Sequence, residues 1–497
     1  MSLTYFNKIA KFITHNNKKF KKYNYKNKNL ILVELYNFKP STIPFSYLSN
    51  VLSLKFKANI VSYYPQHENF ITNLKYKLTK FNPFGIHKIY KSFGVKENII
   101  PKKNISKILI KEYQKIIKKI KTKNDVLDIK IDNILLGDLL YDEFLRTKNI
   151  ITIDINSNEF RAYLRDAISN YYFWKDFFVN KKVKAVIISH HVYLMGIVPR
   201  IAIYKKIPVY TVGIAETPKL LSKKYPIKHC GFEDYFKIFK KFRPSLQKNL
   251  LIDAEKKLNE RFFGKKDIKI LMDRHTERDF YSKKKNNKKI LSTNKNLKVL
   301  VAAHQFNDAV HVYGKFLFTD FYEWMDFLGK CSNKTNYEWY IKFHPSEYET
   351  NYKYIRYFEK KYPNFNVLSI DVTNSQLIDE KINVILTVYG SIGHEYPLFG
   401  IPVINASKTG PHKNFGFNVY PKNLKDYKKI ILNLDKVPMV KTEKIKKNLY
   451  IYYLMRYLME YNLIDSFKNK LIKYGPNYKY KIYEIFLSQF SQKKIMR

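Results

Sequence analysis

Two segments of this chain carry residue types that handle phosphate and ribose. The first is WYIKFHPSE, Trp339 to Glu347, and the second is NVILTVYGSIGHEYPLFGIPVI, Asn383 to Ile404. Each is an apolar run that stops abruptly in polar chemistry: Lys342, His344, Pro345 and Glu347 in one, Gly390, Ser391, Gly393 and Glu395 in the other. A strand-to-helix turn at 390–393 would offer unpaired backbone N–H groups to an anion. Glycine lets the backbone come close, Ser391 adds a hydroxyl, and Glu395, four residues on, is placed to accept from ribose hydroxyls. Pro345 ends strand pairing and aims His344 off the sheet, where an imidazole can hold a phosphate. A turn that Gly and Ser only shape and cap has the same pattern.

Three more groups suit proton transfer. His304 and Asp308, four apart after Leu297–Ala302, could form an oriented acid–base pair; a loop with an Asp helix cap reads the same way. Asp138 and Asp142 in GDLLYD are four apart and share a helix face. One could deprotonate an acceptor hydroxyl, or both could be partners of the helix dipole. Ser189-His190-His191 closes another apolar run, with Tyr193 and Arg200 beyond it as acceptor-side candidates, and a polar connecting loop fits equally. Adjacent histidines on a turn usually point apart and no Asp-x-Asp stands beside them, so no obligatory metal or cofactor is expected.

These residues need strands and helices to position them, and the chain supplies an alternation. Leu30–Leu35, Ala58–Tyr64, Ala185–Ser189 and Pro208–Val212 read as strands, as does Ile131–Leu136; Pro44–Leu54, Asn104–Lys121, Phe160–Phe178 and Val198–Tyr204 read as helices. Ser282–Asn296, dense in Lys and Asn, reads as a linker. The alternation then restarts. Strands are expected at Leu297–Ala302, Trp339–Phe343, Asn366–Leu368, Val384–Val388 and Pro402–Ile404, with helices at Leu317–Leu328, Tyr352–Lys361 and Thr373–Asp379 and from Gly393. Leu449–Leu463 and Ser466–Ile472 show helical spacing. The expected division is 1–29 basic lead-in, 30–281 N-terminal Rossmann-like domain, 282–296 linker, 297–435 C-terminal Rossmann-like domain and 436–497 terminal helices.

With 497 residues, two cores are the natural expectation. Cys230 and Cys331 are the only cysteines, so neither a disulfide framework nor a zinc knuckle can be built. The formal charge of +49 suggests nucleic acid, but it comes from 80 Lys against 11 Arg spread along the whole chain. Phosphate and base recognition favour the arginine fork. The charge therefore reads as solvated surface that helps attract an anionic substrate or an anionic membrane face. No apolar run reaches membrane-spanning length and the N-terminus does not read as a secretory signal. The expected location is cytoplasmic, with peripheral contact to the inner membrane as an option.

VLVAAHQFNDAVHVYGKFLFTDFYEW (Val299–Trp324), WYIKFHPSE and TVYGSIGHEYPLFGIPVI resemble bacterial capsule and surface-polysaccharide biosynthesis proteins. ILVELYNFKPSTIPFSYLSN, LLGDLLYDEFLR and SHHVYLMGIVPRIAIYKKIPV are similar to the same group, and the resemblance runs over roughly residues 28–425. It extends to sialyltransferases, Kdo transferases and teichoic-acid polymerases with cytidine nucleotide donors. It implies an α/β fold of GT-B type, two Rossmann-like βαβ domains facing a cleft, plus C-terminal helices. It also implies that His344, Ser391 and Glu395 belong to the donor site. Gly390-Ser391 stands where some of those enzymes have paired Ser, so a CMP-linked donor is less secure than a nucleotide donor.

The function expected is a metal-independent glycosyltransferase, moving a sugar from a nucleotide-sugar donor to a saccharide or glycolipid acceptor. An N-terminal Asp or His would be the base. A phosphotransferase using a CDP-alcohol is the alternative with the same fold. A basic protein that binds nucleic acid or a membrane surface is the alternative without catalysis.

Overall fold

The computed structural model describes residues 3–65, 82–102, 106–213, 218–224, 232–262, 288–344, 352–459 and 478–490. The chain forms two compact units. One comprises Met1–Phe144, Asp154–Lys228 and Tyr461–Arg497; the other comprises Leu145–Ile153 and His229–Glu460.

The first unit holds helix α1 (Leu3–Lys19), strand β1 (Asn29–Glu34), α2 (Lys39–Phe56), β2 (Asn59–Tyr63), β3 (Val95–Ile99), α3 (Gly137–Lys148), α4 (Asn158–Asn180), β4 (Lys182–Ile188), α5 (Ile197–Tyr204), β5 (Val209–Thr211) and β6 (Lys219–Leu221). The last turn of α3 groups with the second unit. The strands lie in the order β3-β2-β1-β4-β5-β6, parallel except for β6. Ile31, Leu32 and Val33 are fully buried in succession, as a parallel strand covered on both faces requires. From β1 the chain proceeds outward to β2 and β3, then returns to β4 on the other side of β1. The strand order therefore reverses between β1 and β4.

The second unit repeats the plan with α6 (Pro244–Phe262), β7 (Lys298–Ala302), α7 (Phe321–Ser332), β8 (Glu338–Lys342), α8 (Tyr352–Lys361), β9 (Phe365–Val367), α9 (Asn374–Asp379), β10 (Val384–Thr387), β11 (Val403–Asn405) and α10 (Thr442–Tyr453). Its order is β9-β8-β7-β10-β11, all parallel, and it reverses between β7 and β10. Both units are thus doubly wound Rossmann-like layers of the α/β class.

Two expectations need correcting, and a third is refined. Ile131–Leu136 is not one strand. Lys130–Ile131 and Ile134–Leu135 pair as a small hairpin, and Asp132 and Asn133 take φ of 52° and 63°, as a two-residue primed turn demands. The segment after Gly393 is not an α-helix but two 3₁₀ turns, Ser391–His394 and Tyr396–Phe399. Pro397 cannot donate to the carbonyl four residues back, and Gly400, at φ 78°, ends the second turn. The stretch from Leu449 is α10 followed by a π-turn, Leu454–Leu458. Residues 460–477, including the expected helix Ser466–Ile472, lie outside the described residues.

The units also divide the chain at places other than the expected linker. Ala254 and Leu258 of α6 share a buried core with Leu449, Tyr452 and Tyr453 of α10, which ties 244–262 to the second unit. The C-terminal helix, Tyr478–Phe490, joins the first: Tyr483 stacks on Phe12 at 4.4 Å and its hydroxyl meets Thr42 Oγ1 at 3.0 Å. Of the expected linker, 288–296 is described. The N–H groups of Ile290 and Leu291 donate to Glu380 Oε2 at 2.9 and 2.6 Å. Among the described residues, no helix is long and apolar enough to cross a membrane.

Candidate functional site

In doubly wound sheets, ligands bind beyond the carboxyl ends of the strands where the order reverses. Each unit has one such switch point, and each carries polar side chains.

In the second unit, His304 follows β7 by two residues and is half-buried. Its Nε2 accepts the N–H groups of Val388 at 3.2 Å and Tyr389 at 3.4 Å, and lies 3.1 Å from Thr387 Oγ1. A neutral ring that accepts at Nε2 keeps its proton on Nδ1. Burial, with the nearby His344 adding to it, pushes the imidazole down to about 3, so the ring is neutral at physiological pH. Phe321 stacks on it at 4.7 Å and 15°. The site therefore holds a clamped, uncharged imidazole with a donating Nδ1. Gly390 closes the same corner: a Cβ there would sit 2.9 Å from Thr387 Oγ1 and 3.5 Å from His304 Cε1. Ser391 is exposed at the head of the first 3₁₀ turn.

The other residues expected to bind a nucleotide divide between edge and interior. His344, two residues past β8, is half-buried and close enough to His304 to affect its charge. Pro345 and Glu347 lie outside the described residues. Lys342 and Glu395 are both buried. Lys342 Nζ donates to Val372 O at 2.6 Å and Asn374 Oδ1 at 3.0 Å. Burial lowers it to about 8 while Glu395 opposes the fall. Gly393 is forced by packing: a Cβ would meet Asn418 Nδ2 and His412 Nδ1, each at 2.7 Å. His412 is buried, and burial followed by the charge of Arg456 pushes it down to about 3. Arg456 is itself buried on the π-turn after α10. Sequence spacing gave no sign of His412 or Asn418, which reach Gly393 from a segment some twenty residues on, or of Arg456, whose charge acts on His412.

The expected His304–Asp308 pair does not form. Asp308 is exposed and faces Arg146 Nη1 at 3.3 Å, while the His304 ring turns its Nε2 to the 387–389 backbone.

In the first unit the switch point is acidic. Glu34 is the last residue of β1 and is buried. Its Oε2 accepts from Ser189 N at 2.6 Å, Ser189 Oγ at 2.8 Å and, longer, His190 N at 3.4 Å. Its Oε1 is buried with no hydrogen-bond partner among the described residues. Burial raises the carboxyl above its ordinary range, and the bonds from Ser189 and His190 oppose that rise. Ser189 Oγ in turn lies 2.9 Å from His190 Nδ1, and the Tyr36 ring packs against His190 at 4.9 Å. Glu34 escaped sequence analysis because it closes an apolar run and reads as an ordinary strand end.

Asp138 and Arg200 bind each other. Arg200 Nη1 and Nη2 donate to the two carboxylate oxygens of Asp138, both at 2.6 Å, and Nη1 also reaches Leu135 O at 2.6 Å. This bidentate pair joins α3 to α5. Asp142 is buried on α3, and its charge and that of Glu143 help raise the Tyr163 hydroxyl, after burial. Tyr193 is buried too and takes φ 57°, a costly conformation for a bulky residue. Gly196 permits this turn: a Cβ would lie 2.6 Å from His191 O and 2.7 Å from Leu139 Cδ2. Of the candidate bases, His190 is the one at the switch point. No group of three or more metal-ligating side chains occurs among the described residues.

No protein-family model and no curated protein matches the chain. Solved structures similar to it include UDP-GlcNAc 2-epimerase from Neisseria meningitidis bound to UDP-GlcNAc, with 12% identity, 93% of this chain and 100% of that one covered, and TM-score 0.21. A putative UDP-N-acetylglucosamine 2-epimerase from Listeria monocytogenes has 11% identity, coverage of 94% and 98%, and TM-score 0.26. The wall teichoic acid polymerase TagF has 12% identity, coverage of 98% and 100%, and TM-score 0.21. At these TM-scores the likeness adds nothing to what the sheet order already shows.

Proposed function

We propose that the protein is a glycosyltransferase of surface-polysaccharide synthesis that takes its sugar from a nucleotide donor. One observation carries the reading: a neutral His304, clamped by the N–H groups of Val388 and Tyr389 at the β7/β10 switch point, with Gly390 and Ser391 beside it. A donor N–H that needs no reorganisation suits the phosphate of a leaving nucleotide. His344, at the next strand end, is the second donor. The acceptor hydroxyl is assigned to His190 in the first unit.

A nucleotide that binds only the folded protein raises its melting temperature by mass action. CMP, CDP, UDP and GDP at saturating concentration should separate into one that raises it by several degrees and others that do not. His304→Ala and His344→Ala should each remove that shift while the protein stays folded. If no nucleotide shifts the wild type, the assignment fails. The mass of the product made from the matching donor then gives the reaction: a gain of one sugar, with no phosphorus entering the acceptor.

A further inference from the structure

We infer that Glu34 and Ser189 form a positioning relay that fixes His190 as the base of the N-terminal switch point, with its proton on Nδ1 and its basic lone pair on Nε2. The inference rests on the transferase reading for what the base acts on, but its geometry stands without that reading.

Hydrogen counting fixes the direction of the relay. Glu34 Oε2 already accepts the Ser189 N–H at 2.6 Å, so it is an acceptor at this corner. Ser189 Oγ lies 2.8 Å from that oxygen and 2.9 Å from His190 Nδ1, and a hydroxyl has one hydrogen to give. The carboxyl oxygen is the stronger acceptor, so the hydroxyl donates to Glu34. Ser189 Oγ must then accept, and only a protonated Nδ1 can donate to it. The neutral ring is left with its basic nitrogen at Nε2. This direction belongs to the ionised Glu34, since a carboxylate outcompetes an imidazole nitrogen for the hydroxyl's hydrogen and a neutral carboxyl does not.

The surroundings hold the relay in place. Glu34 ends β1 and Ser189 follows β4, so the sheet itself sets their spacing. The Tyr90 hydroxyl donates to Glu34 O at 2.7 Å and accepts the N–H of Tyr36 at 3.2 Å, which places the Tyr36 ring against His190. In the transfer step, His190 Nε2 takes the proton of the acceptor hydroxyl as that oxygen bonds to the anomeric carbon. The bond from that carbon to the donor phosphate oxygen breaks, and its electron pair leaves with the nucleotide. Glu34 and Ser189 touch neither substrate. They hold the ring that does.

Long-range ¹H–¹⁵N correlation spectra of the full chain at about pH 8 read the tautomer of each neutral histidine, and His190→Gln identifies the His190 signal. The expected result is a proton on Nδ1 in the wild type. Ser189→Ala should move it to Nε2, and Ser189→Thr, which keeps the hydroxyl, should keep it on Nδ1. A wild-type proton on Nε2 overturns the relay even if no substitution can be studied. With the donor that passes the nucleotide panel, Ser189→Ala should lower kcat roughly tenfold to a hundredfold with little change in KM. Ser189→Thr should restore most of it. A KM effect alone, or equal loss in both variants, also overturns the relay. Failure of the nucleotide panel sinks the transferase reading but leaves the tautomer result standing.

Discussion

The two switch points are built on one plan with opposite chemistry. In each, a side chain at the end of the central strand accepts N–H groups from the loop after the fourth strand in sequence. Glu34 takes those of Ser189 and His190; His304 takes those of Val388 and Tyr389. Both loops are thereby tied to the carboxyl edge of their own sheet. The first unit uses a carboxyl, which steers a neighbouring histidine toward accepting a proton. The second uses a neutral imidazole, which is left donating one. One corner suits a hydroxyl that must lose its proton, and the other suits an anion that must leave.

Removing either acceptor should test the shared plan. Glu34→Ala leaves the Ser189 N–H, its hydroxyl and the His190 N–H without their acceptor, and an unsatisfied buried polar group costs about 1–3 kcal/mol. A loss on the order of 3 kcal/mol in urea unfolding is expected. Glu34→Gln should cost less, since its amide oxygen can still accept. His304→Ala breaks longer bonds, at 3.2 and 3.4 Å, and should destabilise less than Glu34→Ala. The reverse order would mean that His304 is held mainly by Phe321 and packing, and the parallel between the corners would break.

Acid separates the corners by sign. His304 and His412 sit at about 3 when folded and near 6.5 when unfolded, so the unfolded chain binds more protons between those values. Stability should therefore fall as pH drops below about 6.5, with a slope of one proton for each histidine. Glu34 acts the other way. Its carboxyl is raised by burial, among Tyr63, Tyr90 and His190, so the folded chain holds that proton longer. Its contribution is complete below the ordinary carboxyl value of 4.5 and is lost as pH rises through its raised value. Chemical unfolding across pH 4 to 8 should show a slope that His412→Asn flattens by one proton and Glu34→Gln steepens. If His412→Asn leaves the slope unchanged, the histidines are not buried neutral.

Much of this plan was legible in the sequence, for a definite reason. Parallel strands covered on both faces leave unbroken apolar runs, so Leu30–Leu35 and Trp339–Phe343 landed within a residue of β1 and β8. Residues that break such runs, His190, His304 and Gly390, marked the carboxyl edge. The partners did not show. Glu34 and Ser189 are 155 positions apart, and His304 and Thr387 are 83 apart, so spacing on one element could not join them. Spacing along one element also says nothing of the partners each residue meets. Asp138 and Asp142 share a helix, but Asp138 is committed to Arg200 and Asp142 is buried. The segment after Gly393, expected as a helix, is instead two 3₁₀ turns because Pro397 lacks the N–H an α-helix needs there.

The two loops crowd their glycines with different kinds of neighbour. A Cβ on Gly196 would meet a backbone oxygen, His191 O, at 2.6 Å; one on Gly393 would meet the side chains of Asn418 and His412 at 2.7 Å. Overpacking costs about 1–3 kcal/mol, and side chains can yield where backbone cannot. Gly196→Ala should fall at the upper end of that range and Gly393→Ala lower. Melting curves for the pair check the order. Equal losses would mean that the 412–418 segment is as rigid as the 191–196 turn.

The smallest effects should come from the ion pairs, and they bear on what the second corner uses. Arg200 and Asp138 are 18% and 13% exposed, whereas Arg146 and Asp308 are 56% and 51% exposed. An exposed pair contributes about 0–1 kcal/mol, so Arg146→Ala and Asp308→Asn should each change stability by under roughly 0.5 kcal/mol. Arg200→Ala should cost more, since it opens a bidentate contact between α3 and α5. The sharper measurement is the nucleotide-induced rise in melting temperature. Asp308→Asn should leave it unchanged, because His304 takes its tautomer from the 387–389 backbone and not from a carboxylate. If Asp308→Asn removes the rise as fully as His304→Ala does, the second corner works as an acid–base pair after all, and the contrast between a proton-accepting corner and a proton-donating one is lost.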